Sequence, residues 1–202
     1  APCSKSDAPR LQTLTDHWDE IKTLKAVPTV KVDGTSTTLS MDERGQVHVY
    51  SRNWELDSMS SNMQLAKRFQ LDKMLWPGMA VQFELCGPGI QSNRLKLPAQ
   101  RPFVFAVWKD HHKIDRDQWP TGMPNLAVPE LDENEWALTG SVDDMIAKVD
   151  GLRGNVTKDR LDEGIVWHLH EDQQLSEGLA NELGANRCFK IINNKYLTKN
   201  GL

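Results

Sequence analysis

Four short stretches set reactive side chains among apolar neighbours. In Lys31-Val32-Asp33-Gly34-Thr35-Ser36 a lysine closes a strand-like run and precedes an acid and a glycine. A lysine inside a strand is costly unless its head reaches water or a partner. Desolvation and neighbouring cations turn such an amine into a nucleophile. Gly34 lets the backbone turn or approach a ligand closely. The same letters also describe an exposed strand-end lysine before an Asp-Gly turn. In Phe83-Glu84-Leu85-Cys86-Gly87-Pro88-Gly89-Ile90-Gln91 a glutamate interrupts a hydrophobic strand ahead of a glycine loop. Glutamate is almost never fully buried unpaired, so Glu84 faces either a ligand or solvent. In Asp162-Glu163-Gly164-Ile165-Val166-Trp167-His168 the acid Glu163 opens an apolar strand. It can hold a divalent metal or a water, or simply edge a turn. In Phe189-Lys190-Ile191-Ile192-Asn193 the amine of Lys190 reaches a phosphate or snorkels out of a sheet face.

Other chemistries find less support. His111-His112 falls in a polar stretch and His168-Leu169-His170 alternates on a strand, and neither pair has further ligands at metal-site spacing. The three cysteines, Cys3, Cys86 and Cys188, are far apart, which disfavours a disulfide framework or a zinc site and fits a reducing, cytoplasmic compartment. No Walker lysine loop, dinucleotide glycine fingerprint or serine nucleophile elbow is present. Of seven tryptophans, most belong in a core, and an exposed one can stack on a base.

These residues need elements to hold them. Leu11, Leu14, Trp18, Ile21 and Leu24 recur at helical spacing, predicting a helix over 9–26, capped by Ser6 or Asp7 and stopped by Pro28. Residues 29–39 read as strand interrupted at Asp33-Gly34. A hairpin connection follows at 41–45, with a return strand over 46–51. A helical region over 62–75 ends at Trp76-Pro77-Gly78. Strands follow at 80–86 and 102–108, then a loop over 109–125. Ser141 and Asp144 form a capping box for a helix over 141–150, and the last strands lie at 164–168 and 188–193. The connections vary too much for regular βαβ alternation, so the expected class is α+β with mostly antiparallel sheets flanked by helices.

At 202 residues the chain is long enough for one domain with a sizeable core, or at most two small ones. A hydrophobic fraction of 39% and a charged fraction of 26% exclude fibrous and low-complexity classes. No apolar run approaches the ~20 residues needed for a membrane helix. A net charge of -4 argues against a strongly basic nucleic-acid coat, though a basic face remains open, built on Lys67, Arg68 and Lys73 or on Arg94, Lys96 and Arg101. The start, Ala1-Pro2-Cys3, lacks a Met and a signal-peptide core and reads as a cut beginning.

Taken in order, Lys31-x-Asp33-Gly34, Ser51-Arg52-Asn53, Glu84-x-x-Gly87, the aromatic strand over 102–108, Glu163-Gly164 and Lys190 resemble the motif series of covalent nucleotidyltransferases. That superfamily holds the ATP-dependent polynucleotide ligases and the capping enzymes. Within it, the stretches Gly87 to Asn93 and Phe189 to Lys199 are most similar to the ATP-dependent RNA ligase family. Lys5-Ser6-Asp7 and Arg10-Leu11-Gln12 resemble the lead-in of a branch carrying an extra N-terminal OB-like module. The resemblance implies a nucleotidyltransferase (ATP-grasp-like ligase) fold over 1–202, an adenylyltransferase domain as a fragment without that module.

It also implies a reaction. Lys31 would attack ATP and hold AMP, which passes to a 5′-phosphate before a 3′-hydroxyl seals the nick, with Mg2+ (or Mn2+) as cofactor. By motif match, Arg52 contacts the ribose or phosphate, Glu84 the ribose 2′-hydroxyl, and Phe105 stacks on adenine. Glu163 serves metal-dependent chemistry, Lys190 contacts the α-phosphate, and Asp33 and Gly34 complete the nucleotide site. The implied partner is RNA or an RNA/DNA nick, bound by a monomer without membrane contact. Three positions depart from the pattern: Val30 for an acid, Ala106 for Asp, and Ile192 for a second lysine, for which Lys195, Arg187 or Lys199 is a substitute. The alternatives are a nucleotide-binding or regulatory module that has lost turnover, and a DNA-ligase or capping-type enzyme.

Overall fold

A computed structural model describes residues 3–4 and 7–202. The proposed cap Ser6 and the lead-in residue Lys5 lie outside the described residues. The strands are β1 (Ala26–Lys31), β2 (Thr35–Met41), β3 (Val47–Tyr50), β4 (Glu55–Leu56), β5 (Met79–Cys86), β6 (Arg101–Lys109), β7 (His112–Ile114), β8 (Gly164–Leu169) and β9 (Cys188–Ile192). The α-helices are α1 (Trp18–Ile21), α2 (Ser61–Arg68), α3 (Val142–Val149), α4 (Glu177–Leu183) and α5 (Asn194–Asn200). One sheet runs β1-β8-β9 and the other β4-β3-β2-β5-β6-β7, with every strand pair antiparallel. The class is α+β, as the sequence predicts. The chain divides into two compact units, one of Asp33–Val128 with Cys3 and Ser4, the other of Asp7–Val32 and Pro129–Leu202. No helix among the described residues is long and apolar enough to cross a membrane.

The three-stranded unit is built around Leu11, Leu14, Trp18, Ile21, Trp167, Phe189 and Ile191, all buried. The apolar spacing near the start therefore marks a core face, but not one continuous helix. Residues Leu11–His17 wind as a 3-10 helix, kinked at Leu14, before α1 begins. Arg10 precedes the 3-10 turn without a side-chain cap, and Asp7 is paired elsewhere, so the predicted cap does not form there. Pro28 does not stop this helix. It lies within β1 opposite Trp167, and its carbonyl accepts from Leu131 N–H. Proline lacks a ladder donor and is tolerated on such an edge strand. The capping box of Ser141 and Asp144 opens α3 as predicted. Helices α4 and α5 follow Ser176 and Asn193, whose side chains accept from Leu179 N–H and Lys195 N–H.

In the six-stranded unit, α2 lays Met63, Leu65 and Ala66 against Leu39, Val81, Phe83, Leu85, Val104 and Val107 of the sheet. Buried Trp108 donates to Gln82 Oε1 at 2.9 Å, which satisfies its indole N–H. The stretch expected as loop after Lys109 contains β7. Asp110 and His111 both take left-handed φ, 48° and 68°, as a tight hairpin turn requires. Asp-His is not the usual Asn-Gly signal for that turn, and β7 is polar, so alternation does not reveal it.

Candidate active site

In the three-stranded unit, Lys31 is the last residue of β1 and pairs in register with Gly164, the first residue of β8. Glu163 sits one position earlier, and its Oε2 accepts from Lys31 Nζ at 3.0 Å. The side chains are 27% and 17% exposed, so the pair is mostly withdrawn from water. The lysine stands at a strand end, and its amine is held by a carboxylate. A Cβ on Gly164 would lie 2.2 Å from Ile191 O, so glycine is required where β8 meets β9. Asn193 N–H extends that ladder by donating to Glu163 O at 2.8 Å.

Asn193 is fully buried and carries a knot the sequence reading missed. Its Nδ2 donates to Leu152 O and Asp162 O, and its Oδ1 accepts from Gly151 N–H and Lys195 N–H. Two carbonyls and two amides around one buried amide leave the chain before Glu163 little freedom. Beside it, burial pushes the Asp162 carboxyl above its ordinary range. The only sequence signal was an Asn directly after an apolar strand, which reads equally well as a helix cap.

Lys190 lies on β9 opposite Val166, and its Nζ pairs with Asp7 Oδ1 at 2.9 Å. Arg10 forms a parallel bridge with Lys190, and Lys190 N–H donates to Pro9 O, so residues 9–10 border β9. Ile192 stands two residues further along, buried, in the row Lys31–Gly164–Ile192. Of the suggested substitutes for a second lysine, Arg187 is committed to the carbonyls of His170 and Gln173, and Lys195 is an exposed neighbour of Asp150.

In the six-stranded unit the Asp33-Gly34 turn is held at both residues. Arg94 Nη1 lies 2.6 Å from Asp33 Oδ2, and Gly34 N–H donates to Glu84 Oε1 at 3.2 Å. A Cβ on Gly34 would fall 2.1 Å from Leu85 O and 2.7 Å from Cys86 Sγ. The close approach foreseen for this glycine is thus to the end of β5. Glu84 is half-buried on β5, between Ser36 of β2 and Phe103 of β6.

Phe105 occupies a bulge. Val104 pairs with Phe83 and Ala106 with Gln82, leaving Phe105 without a register partner. Its ring packs with Ala106, Ala80 and Trp108, away from the face that α2 covers. Bulges commonly re-aim a side chain beside an active site. Arg52 is exposed at the turn between β3 and β4, where Ser51 N–H and Oγ both donate to Trp54 O. Trp54 is 75% exposed and Trp76 62%, whereas Trp18, Trp108, Trp136 and Trp167 are buried.

Of the paired histidines, His168 Nε2 lies 3.1 Å from Thr29 Oγ1, and His170 is near Glu133. No group of three His, Cys, Asp or Glu side chains among the described residues converges to hold a metal. Of the basic groups, Arg94 is bound to Asp33 and Arg101 stacks over Phe103.

Residues 25–192 match the family model described as RNA ligase. Solved structures of Naegleria gruberi RNA ligase are similar over nearly the whole chain. The form with PPi is 26% identical with a TM-score of 0.77, covering 98% of this chain and 58% of that one. An arginine-to-alanine mutant with ATP and Mn gives 26% and 0.78 over the same shares. A lysine-to-methionine mutant with AMP and Mn gives 27% and 0.72, again over 98% and 58%. This chain therefore spans less than two thirds of the length of those ligase chains. No curated protein matches. The α+β fold is that of the RNA ligase nucleotidyltransferase domain, and with the family match running from β1 through β9 the chain belongs to the RNA ligase family.

Proposed function

We propose that this chain is the adenylyltransferase part of an ATP-dependent RNA ligase, with Lys31 as its nucleophile. The observation that carries the reading is the Lys31–Glu163 pair at 3.0 Å, fixed at the mouth of two strands within the family-matched segment. In the first step the Lys31 Nζ lone pair attacks the α-phosphorus of ATP. An N–P bond forms, the bond to the bridging oxygen breaks, and pyrophosphate leaves with that electron pair. In the second, an oxygen of a 5′-phosphate displaces the amine, which recovers its proton. In the third, a 3′-hydroxyl oxygen attacks the activated 5′-phosphorus and gives up its proton to solvent, while the bond to the bridging oxygen breaks and AMP departs with that electron pair.

A carboxylate beside an amine favours its ammonium form, and attack requires the neutral amine. Glu163 must therefore be drawn off Lys31 when substrate binds. A lone carboxylate suits a magnesium ion that arrives on nucleotide phosphates and keeps most of its waters, rather than a resident metal cage. Glu163 would hold that ion, which supplies charge against the phosphoryl oxygens. Lys190, freed from Asp7, adds a second positive group for the same oxygens. Phe105, re-aimed by its bulge, offers a face for the base, and Glu84 and Arg52 offer polar contacts to the sugar.

Ile192 favours one other reading, a nucleotide-binding module without turnover, because a buried apolar side chain stands in the row of Lys31 where the family pattern has a second lysine. Labelling with ATP and with GTP, followed by a chase with a 5′-phosphorylated RNA strand, separates the possibilities. Adenylate that forms from ATP and moves to the strand supports ligation. Label from GTP alone would identify a capping-type enzyme, and binding without a covalent product would identify the inactive module.

A further inference from the structure

The loop between β5 and β6 has a construction that no step above uses. Gly87 closes its neck: a Cβ there would lie 2.6 Å from Gln100 Cα and 2.7 Å from Ala99 O. Gln100 Nε2 donates back to Pro88 O at 2.6 Å, which ties the two ends together. Within it, Gln91, Asn93 and Lys96 take left-handed φ of 48°, 41° and 52°. Three such non-glycine residues in six positions persist only where surrounding contacts over-determine them. Those contacts are present. Asn93 forms a two-bond ring with Leu97, Nδ2 donating to Leu97 O at 3.1 Å and Oδ1 accepting from Leu97 N–H at 3.0 Å. Leu95 is buried. The residue between these two anchors is Arg94, and its guanidinium meets Asp33 at 2.6 Å with both side chains about four-fifths withdrawn from solvent, 21% and 18% exposed.

We infer that the loop over 87–100 exists to present Arg94 to Asp33, and that Arg94 is a positioning residue for the turn that directly follows Lys31. A strained loop whose central arginine ends on the motif aspartate is fixing that turn, not covering surface. The guanidinium is suited to this, because its planar fork orients a carboxylate where an ammonium only attracts it. The Gly87, Gly89 and Asn93 positions of the motif then have a purpose: two glycines for the neck and turn, and an asparagine to brace the residue before Leu95. The catalytic consequence rests on the function proposed above; the positioning itself does not.

Two measurements on the whole chain test it. In the first, amide hydrogen exchange is followed in Arg94→Ala and in the unsubstituted protein. Exchange at residues 33–35 is expected to rise by about tenfold or more, as for a local opening freed of a charge-assisted bond, while β5 and β6 stay protected. Unchanged exchange at 33–35 would overturn the inference, as would a rise of equal size throughout the sheet. In the second, single-turnover formation of lysyl-AMP is compared in Arg94→Ala, Arg94→Lys, Asp33→Asn and the double variant Asp33→Asn/Arg94→Ala. Residues acting through one another are non-additive, so the double variant is expected to be no slower than Asp33→Asn alone, with Arg94→Lys between Arg94→Ala and the unsubstituted chain. Independent, multiplying losses would contradict the inference. Absence of lysyl-AMP in the unsubstituted chain would defeat the proposed function and leave the exchange experiment to decide this one.

Discussion

Lys31 and Gly164 face each other across β1 and β8, and this pairing carries Glu163 to 3.0 Å from the Lys31 amine. The register is doubly fixed, because Gly164 also pairs with Ile192 on β9. A one-residue slip on either side would turn Glu163 to the opposite face.

Gly164→Ala should therefore act on both stability and chemistry. Its Cβ would meet Ile191 O at 2.2 Å, a backbone atom that cannot move aside without shifting β9. We expect a loss of about 1–3 kcal/mol in urea unfolding, as for other overpacking changes. A midpoint equal to that of the unsubstituted chain would show that β8 and β9 are not held this close.

Glu163→Gln keeps an acceptor of similar shape and removes the charge. Because both side chains are still partly exposed, the stability change should stay within about 1 kcal/mol. The rate of covalent adenylation should fall by about a hundredfold, the scale seen when one preorganised electrostatic group is removed. Full activity in Glu163→Gln would leave the pair a structural contact only.

Phe105→Ala removes a ring that has no register partner and is not fully buried. The prediction is weaker nucleotide binding, by about 1–3 kcal/mol for the loss of one base–aromatic stack, with little change in unfolding midpoint. Titration with ATP measures the first and denaturation the second. Intact affinity with reduced stability would return Phe105 to the core.

The β2–β3 hairpin should respond to pH through His48. The ring lies between Glu55 Oε1 at 2.8 Å and Asp42 Oδ2 at 3.1 Å. Bonding to Glu55, and then to Asp42, raises the His48 pKa above its ordinary 6.5. A raised histidine contributes stability that is fully present below about 6.5 and is lost as pH climbs through the folded value. The same bond lowers Asp42 below its ordinary 3.8, so that contribution holds above 3.8 and fails as pH falls through the lowered value. The Tm difference between the unsubstituted chain and His48→Gln should thus be widest from about pH 4 to 6.5 and close in the alkaline range. A difference independent of pH would contradict the ion-pair account.

What the sequence shows of this site follows from how its parts are encoded. Lys31, Glu84 and Lys190 stand out because each is a charge within an apolar strand, and Glu163 because it directly precedes one. The apolar strands β5, β6, β8 and β9 fall where the pattern predicts, whereas the short, polar β4 and β7 do not show in it. The capping box at Ser141 is legible because it is local. The partners are not: Arg94 reaches Asp33 over 61 positions, and Asn193 reaches Asp162 over 31. Such contacts depend on register and loop closure, which no window of neighbouring residues contains. The 3-10 turn at Leu11 shares the apolar spacing of an α-helix, so the face was readable and the winding was not. The bulge at Phe105 arises from a mismatch between two strands and leaves no trace in either one alone.

The central claim is that Lys31 becomes covalently joined to AMP, and intact mass before and after incubation with ATP and magnesium tests it most directly. The account predicts an increment of one adenylyl group, absent from a folded Lys31→Ala variant and removed by added pyrophosphate. An increment that persists in Lys31→Ala, or a folded, nucleotide-binding chain that never gains one, would contradict it.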